Sequence, residues 1–309
     1  MNQIAMVFPG QGSQKVGMLA DLAHDPILVG IFETVSQAAG QDLRRLAIEG
    51  PPEALDVTTV TQPLMLATDI AFYALQRAQG GMMPVAVAGH SLGEYAALYA
   101  AGVLEIPALA RLVAVRARLM QEAVVPGTGA MAAVLGLDDG VIEEVCRTVT
   151  AGIVEAVNYN CPGQVVIAGE RVAVEQAIGA ARAAGAKRAL LLPVSVPAHS
   201  SLMKKASCAY AQELAQVDLK PPVLPVVHNA DLEEHLEAAS IREALVAQLA
   251  SPVRWTETVR HLRDRYGVSR IVECGPGRVL IGLNRRIAPE LGHVGLENRE
   301  TILQYAEIR

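Results

Sequence analysis

Residues 89–93 read Gly89-His90-Ser91-Leu92-Gly93, a G-x-S-x-G pattern. That pattern does acyl chemistry when the serine sits on a sharp strand-to-helix bend. The flanks supply both elements: PVAVAG (84–89) reads as a buried strand and Leu92 onward as a helix. Glycines two residues either side of Ser91 let neighbouring backbone approach where a Cβ would clash. A helix starting at Leu92 aims free N–H groups and a positive dipole end at the same spot. The oxyanion formed when Ser91 attacks a carbonyl would sit there. A simpler role for Ser91, capping the helix, stands beside this one.

A serine nucleophile needs a general base. Of the seven histidines, His24 and His235 lie in charged stretches and are expected to be exposed. His90 adjoins the serine, with its side chain expected to point away from the Ser91 Oγ. His199, in PVSVPAHSSLM, follows the rigid Pro197 and precedes Ser200, which can start a helix. A loop–helix junction of this kind can present an imidazole, or simply satisfy it with backbone. Hydrolases of this type place an acid between serine and histidine in chain order. Asp138, Asp139, Glu143, Glu144, Glu155, Glu170 and Glu175 fall there, mostly on charged helix faces. None reads as a triad member, so a Ser–His dyad with a neutral orienting group is expected.

A third residue stands out. The helix PALARLVAVRARLMQEA (107–123) has an apolar stripe through Leu109, Leu112, Val113, Leu119 and Met120. Steps of three and four place Arg116 on that stripe, with Arg111 and Arg118 nearer the other side. An inward arginine stays charged and must find an anion or a set of acceptors. It can be a structural ion pair, a side chain that snorkels to solvent, or a bidentate clamp for a substrate carboxylate.

The elements that position these residues follow from periodicity. IAMVF (4–8) reads as a buried strand ending in PGQGSQ, and 60–79 as a helix stopped by Gly80-Gly81. Strand, helix, strand, helix with short links predicts a parallel sheet covered on both faces. The pattern then changes: strand 131–137, helix 139–151, strands 153–160 and 164–170, helix 171–185, strand 187–195. That β-α-β-β-α-β order is the ferredoxin-like unit, read as an insertion. Helix 200–216, a Pro-rich connection (PPVLPVVHN), helices 239–250 and 255–266 and strand 270–275 follow. The expected domains are residues 1–126 plus 196–309 and, inserted, 127–195.

With 309 residues, 51% of them hydrophobic, the chain can bury a large core. The apolar run from Tyr95 to Leu104 is bounded by Glu94 and Glu105, short of the roughly 20 residues a spanning helix needs. MNQIAMVFPGQGSQ does not read as a signal peptide. Cys146, Cys161, Cys208 and Cys274 have no metal-ligand spacing, which favours a reducing cytoplasm and no metal. A net charge of −6 with 4% aromatics excludes a general nucleic-acid binder.

Taken together, GQGSQ, GHSLG, the arginine helix ending MQEA, NYNCPGQVVIAG, VPAH, SPVRW and ECGPGRVL resemble one family over nearly the full length. It is the bacterial malonyl-CoA:acyl-carrier-protein transacylases of type II fatty acid synthesis. The resemblance implies an α/β fold, an α/β-hydrolase-like parallel-sheet domain with an inserted ferredoxin-like small domain. It also implies that Ser91 is the nucleophile, His199 the base and Arg116 the grip on the malonyl carboxylate. Backbone N–H groups of Gln11 and Leu92 would form the oxyanion hole, and the Gln248 carbonyl would orient the histidine. His90 and Gln62 are expected near the acyl pocket. No cofactor is implied, coenzyme A thioester being a substrate. The expected partners are malonyl-CoA and an acidic acyl carrier protein, met by a monomer with no membrane or nucleic acid. Lys187-Arg188, Arg278 and Arg285-Arg286 are candidate docking cations. A thioesterase sharing the serine turn, a transferase loading another carrier, and a non-enzymatic interaction module remain alternatives.

Overall fold

A computed structural model of the chain describes residues 3–194 and 196–307. The outer limits of the expected spans, Met1, Ser195 and Arg309, lie outside those residues. In chain order the elements begin with β1 (Ile4–Phe8), α1 (Pro26–Ala39), α2 (Leu43–Glu49), α3 (Thr58–Ala78), β2 (Ala86–Gly89), α4 (Gly93–Ala100) and α5 (Ile106–Glu122). A second group follows: β3 (Gly129–Leu135), α6 (Asp139–Thr148), β4 (Val154–Cys161), β5 (Gln164–Glu170), α7 (Arg171–Ala183) and β6 (Arg188–Leu191). The chain then forms α8 (Lys204–Leu214), β7 (Val226–Val227), α9 (Ala238–Gln248), α10 (Trp255–Tyr266), β8 (Arg270–Cys274), α11 (Val279–Ile287), β9 (Gly292–Leu296) and α12 (Arg299–Glu307).

Two sheets result. Five strands pair in the order β7-β2-β1-β8-β9, every pair parallel. All five residues of β1 are buried, as a strand covered on both faces requires. Ile4, Met6 and Phe8 pack into one layer with helices α1, α3, α4 and α5, while Ala5 and Val7 pack with Trp255, Val259 and Leu262 of α10. The other sheet is antiparallel, in the order β4-β5-β3-β6, with α6 and α7 covering one face. Both ladders meet the sequence expectation of a parallel sheet and a ferredoxin-like sheet.

The differences are local. The Pro-rich connection hides β7, two residues that pair with Val87 and Ala88 at the sheet edge. The strand expected over 187–195 stops at Leu191; Pro193, which has no N–H to give, follows closely. The helix expected from Ser200 is a 3₁₀ turn, Ser201–Met203, running into α8. No element was expected at α1, α2, α11, β9 or α12.

This topology fixes where a site can form. β2 and β8 flank β1 on opposite sides: the chain leaves β1 toward β2 and leaves β8 toward β9, so the connections diverge between β1 and β8 at the carboxyl ends of the strands. Open parallel sheets bind ligands at such a switch point. PGQGS follows β1 and GHSLG follows β2.

Candidate active site

The bend at Ser91 is tight because two close approaches demand it. A β-carbon at Gly89 would collide with backbone of Gly93 and Glu94; one at Gly93 would collide with the carbonyls of Phe8 and Pro9. Helix α4 can therefore start directly over the end of β1 only with glycine at both positions. Ser91 takes a left-handed φ of 52°, which a non-glycine residue adopts only where its surroundings hold it. Asn229 does the holding. Its Oδ1 accepts from the Ser91 N–H at 2.7 Å and its Nδ2 donates to the Gly89 carbonyl at 2.7 Å.

His199 is also left-handed, at φ 65°, and buried. Its backbone N–H donates to the Leu249 carbonyl at 3.1 Å, which seats the VPAH loop on the end of α9. The ring bridges two groups: Nδ1 lies 2.8 Å from the Gln248 carbonyl and Nε2 lies 2.7 Å from the Ser91 Oγ. A carbonyl only accepts, so Nδ1 carries the proton and Nε2 offers its lone pair to the serine hydroxyl. Burial, reinforced by the positive charge of Arg116, lowers the His199 pKa to about 3. The imidazole is therefore neutral, with its Nε2 lone pair free toward the serine hydroxyl.

Arg116 is 0% exposed. Nη1 donates to the Gln62 Oε1 at 2.7 Å; Nη2 donates to the Gln248 Oε1 at 2.9 Å and the Ser91 Oγ at 3.2 Å. The Tyr95 ring faces the guanidinium at 5.5 Å. These acceptors are all neutral, and Nε has no partner among the described residues. Neither snorkelling nor a direct ion pair accounts for the charge. A buried cation without an anion is costly, and a ligand carboxylate would supply one.

Of the remaining expected residues, Gln62, Gln11, Leu92 and His90 fall around this centre, and the docking cations lie apart from it. Gln62 Nε2 donates to the Gln11 Oε1 at 3.2 Å, linking the loop after β1 to Arg116. The backbone N–H groups of Gln11 and Leu92 take no partner among the described residues. His90 turns away from the Ser91 Oγ, as expected: its Nε2 meets the Asn160 Oδ1 at 2.8 Å, and its ring lies 5.5 Å from Trp255. Lys187, Arg188 and Arg286 line one groove beside Pro162 and Gly163. Arg278 pairs with Glu297 at 2.5 Å instead, and so is already partnered.

Two readings need correction. His235 is half-buried, not exposed, because its ring packs 5.1 Å from His228. Glu94, taken as the polar end of an apolar run, is buried, and it too lies between Ser91 and His199 in chain order. It meets the His228 Nδ1 at 2.7 Å and accepts from the Asn229 N–H at 3.0 Å and the Gln248 Nε2 at 2.8 Å. The sequence reading missed Asn229, His228 and the Gln248 side chain. The signal available was a glutamate one residue past Gly93, in the first turn of a helix otherwise apolar all round.

Residues 5–280 match the family model described as the acyl transferase domain. The chain is 51% identical over 293 residues to the malonyl CoA-acyl carrier protein transacylase of Escherichia coli strain K12, covering 94% of each. Among solved structures it superposes with TM-score 0.95 on the acyl-carrier-protein S-malonyltransferase of Burkholderia pseudomallei 1710b, at 47% identity over 99% of this chain and 100% of that one. It superposes with TM-score 0.96 on a malonyl-transacylase in complex with a type II PKS acyl-carrier protein, at 48% identity over 99% and 100% of the chains.

Proposed function

This chain belongs to the malonyl CoA-acyl carrier protein transacylases, and from that premise we propose how its own residues move a malonyl group. The observation that carries the reading is the contact of Ser91 Oγ with both the neutral His199 Nε2, at 2.7 Å, and the buried, anion-free Arg116 Nη2, at 3.2 Å.

Malonyl-CoA enters with its free carboxylate on Arg116, which fixes the thioester carbonyl over Ser91. His199 Nε2 takes the hydroxyl proton as Oγ attacks. The N–H groups of Gln11 and Leu92 hold the tetrahedral oxyanion. The carbon–sulfur bond breaks, coenzyme A thiolate takes the proton from His199, and a malonyl ester remains on Ser91. The phosphopantetheine thiol of an acyl carrier protein then gives its proton to His199 and attacks the ester. The Ser91 oxygen leaves and recovers the proton. Every atom is accounted for by the two thiols and the acyl group, so no bound cofactor is required.

The carrier as acceptor is supported by the relatives' names and by the similar chain solved with one. A cytoplasmic setting fits the absence, among the described residues, of any helix long and apolar enough to cross a membrane. Action as a monomer fits a site built wholly from one chain. The test is covalent. Incubation with malonyl-CoA should add one malonyl unit to the chain, seen by intact mass, and acyl carrier protein should remove it faster than water does. Ser91→Ala should take none; a stable adduct on that variant would refute the assignment, and rapid loss to water alone would indicate a thioesterase.

A further inference from the structure

We infer that Glu94 is a positioning residue: one buried carboxylate fixes Asn229 and Gln248, and through them sets Ser91, His199 and Arg116 relative to one another. The inference rests on the reaction proposed above and concerns how its groups are aligned.

Glu94 lies in the first turn of α4, three residues after the nucleophile, and is 0% exposed. A carboxylate held away from water is retained only if donors satisfy it. Here three donor groups converge. Oε2 accepts from the Asn229 N–H at 3.0 Å and the Gln248 Nε2 at 2.8 Å, and Oε1 meets the His228 Nδ1 at 2.7 Å.

Each of the first two partners goes on to grip the site. Asn229 clamps both sides of the serine bend, through the Ser91 N–H and the Gly89 carbonyl. That clamp bears on a residue with φ 52°, a left-handed backbone that a non-glycine residue keeps only where its surroundings hold it. Gln248 holds more. Its Nε2 also donates to the Ser91 carbonyl at 3.0 Å, its Oε1 accepts from Arg116, and its own carbonyl orients His199. Besides the helical bond from its own backbone N–H to the Ser91 carbonyl at 3.1 Å, the Glu94 carboxylate is therefore one residue away from nucleophile, base and clamp alike. Its own contacts reach none of the reacting atoms, so it acts through others.

The residue type follows from the donor count. A carboxylate is acceptor-only at both oxygens. Glutamine at position 94 would turn a donor toward Asn229 and Gln248, or toward His228. In the second case His228 must move its proton to Nε2, which has no partner among the described residues. Either arrangement loosens the hub while keeping its shape.

The experiment uses the full chain and malonyl-CoA, with rapid quench and intact mass to time formation of the acyl-enzyme. Glu94→Gln, Glu94→Ala, Asn229→Ala and the Glu94→Ala/Asn229→Ala double variant are compared with wild type, each below its measured melting temperature. Loss of alignment should slow acylation about tenfold in Glu94→Gln and about 100-fold in Glu94→Ala, with KM for malonyl-CoA within about threefold of wild type. Because Asn229 transmits part of what Glu94 fixes, the double variant should be about as slow as the slower single one, not the product of both losses. Glu94 variants that fold and acylate within about threefold of wild type, or fully multiplicative losses, overturn the inference. If Glu94→Ala does not fold, Glu94→Gln and Asn229→Ala make the same cycle. A wild-type chain that takes no malonyl group overturns the functional reading itself; a wild type that acylates beside unimpaired Glu94 variants overturns only this inference.

Discussion

Arg116 lies on the inward face of α5, and its hydrogen-bond acceptors among the described residues are amide and hydroxyl oxygens. Such a site favours a substrate that brings its own carboxylate and disfavours one that does not. Arg116→Ala should cost malonyl transfer about 2–4 kcal/mol in kcat/KM, the scale of losing one partner of a buried charge pair, while sparing or improving acetyl transfer. Parallel steady-state assays with the two thioesters check this, and equal losses would remove Arg116 from carboxylate recognition. The same charge helps to set His199. Burial first, and Arg116 second, bring its pKa to about 3. If the malonyl carboxylate pairs with Arg116 as proposed, the His199 pKa should rise when the site is loaded. NMR titration of the His199 ring should find its midpoint far below the ordinary value of about 6.5 in the free chain, and nearer to it in the malonyl-enzyme. A free-chain midpoint near 6.5 would contradict the buried, anion-free description. The stability sign follows: the unfolded chain binds this proton below about pH 6.5 and the folded chain only near pH 3. The contribution of neutral His199 is thus complete above pH 6.5 and is lost as pH falls toward 3.

At the scale of elements, the strand–turn–helix at β2–α4 was legible because its constraints are local. Glycine at 89 and 93 is demanded by backbone within a few residues or on the adjoining strand, and the motif writes that demand into five letters. The prediction is correspondingly sharp. Gly93→Ala forces a Cβ into the Phe8 and Pro9 carbonyls, and should destabilise the chain by more than about 2 kcal/mol in denaturant unfolding and abolish acylation. Gly30→Ala, on α1 with open space around the added carbon, should instead stabilise by about 0.5–1 kcal/mol. Arg116 was legible through helical spacing. Helix α1 was equally available: Asp25 caps it at 3.0 Å, Pro26 starts it and Gly40, at φ 65°, ends it. Strand β7 was not, since two residues carry no period and only pairing with β2 defines them. Glu94 was the least legible, because its partners His228, Asn229 and Gln248 lie 134 to 154 residues further along the chain. A buried polar network has no sequence period, and an isolated glutamate in an apolar run looks like its solvent edge.

For the whole molecule, a net charge of −6 means that the proposed docking of an acidic carrier needs a local basic patch. Distant charges matter little: at physiological salt they are screened beyond about 8 Å, so docking depends on what lies at the contact. Lys187 and Arg188, where the antiparallel sheet returns along β6, share a groove with Arg286 of α11. Arg286 is anchored by the Pro162 carbonyl at 2.7 Å and the Gln164 Oε1 at 3.0 Å, which ties the β4–β5 turn to the parallel-sheet half of the molecule. A carrier held there would touch both sheets' surroundings at once. Lys187→Glu with Arg188→Glu should therefore raise KM for acyl carrier protein about tenfold, and weaken its salt dependence, because opposite charges at a rim act mainly on encounter. The first half-reaction involves no carrier and should proceed at the wild-type rate. Pre-loading the chain with malonyl groups and then timing deacylation against carrier concentration separates the two steps. A reversed pair that leaves carrier KM unchanged would move the docking surface elsewhere, whereas a slowed acylation step would mean that the substitutions had reached the catalytic centre itself.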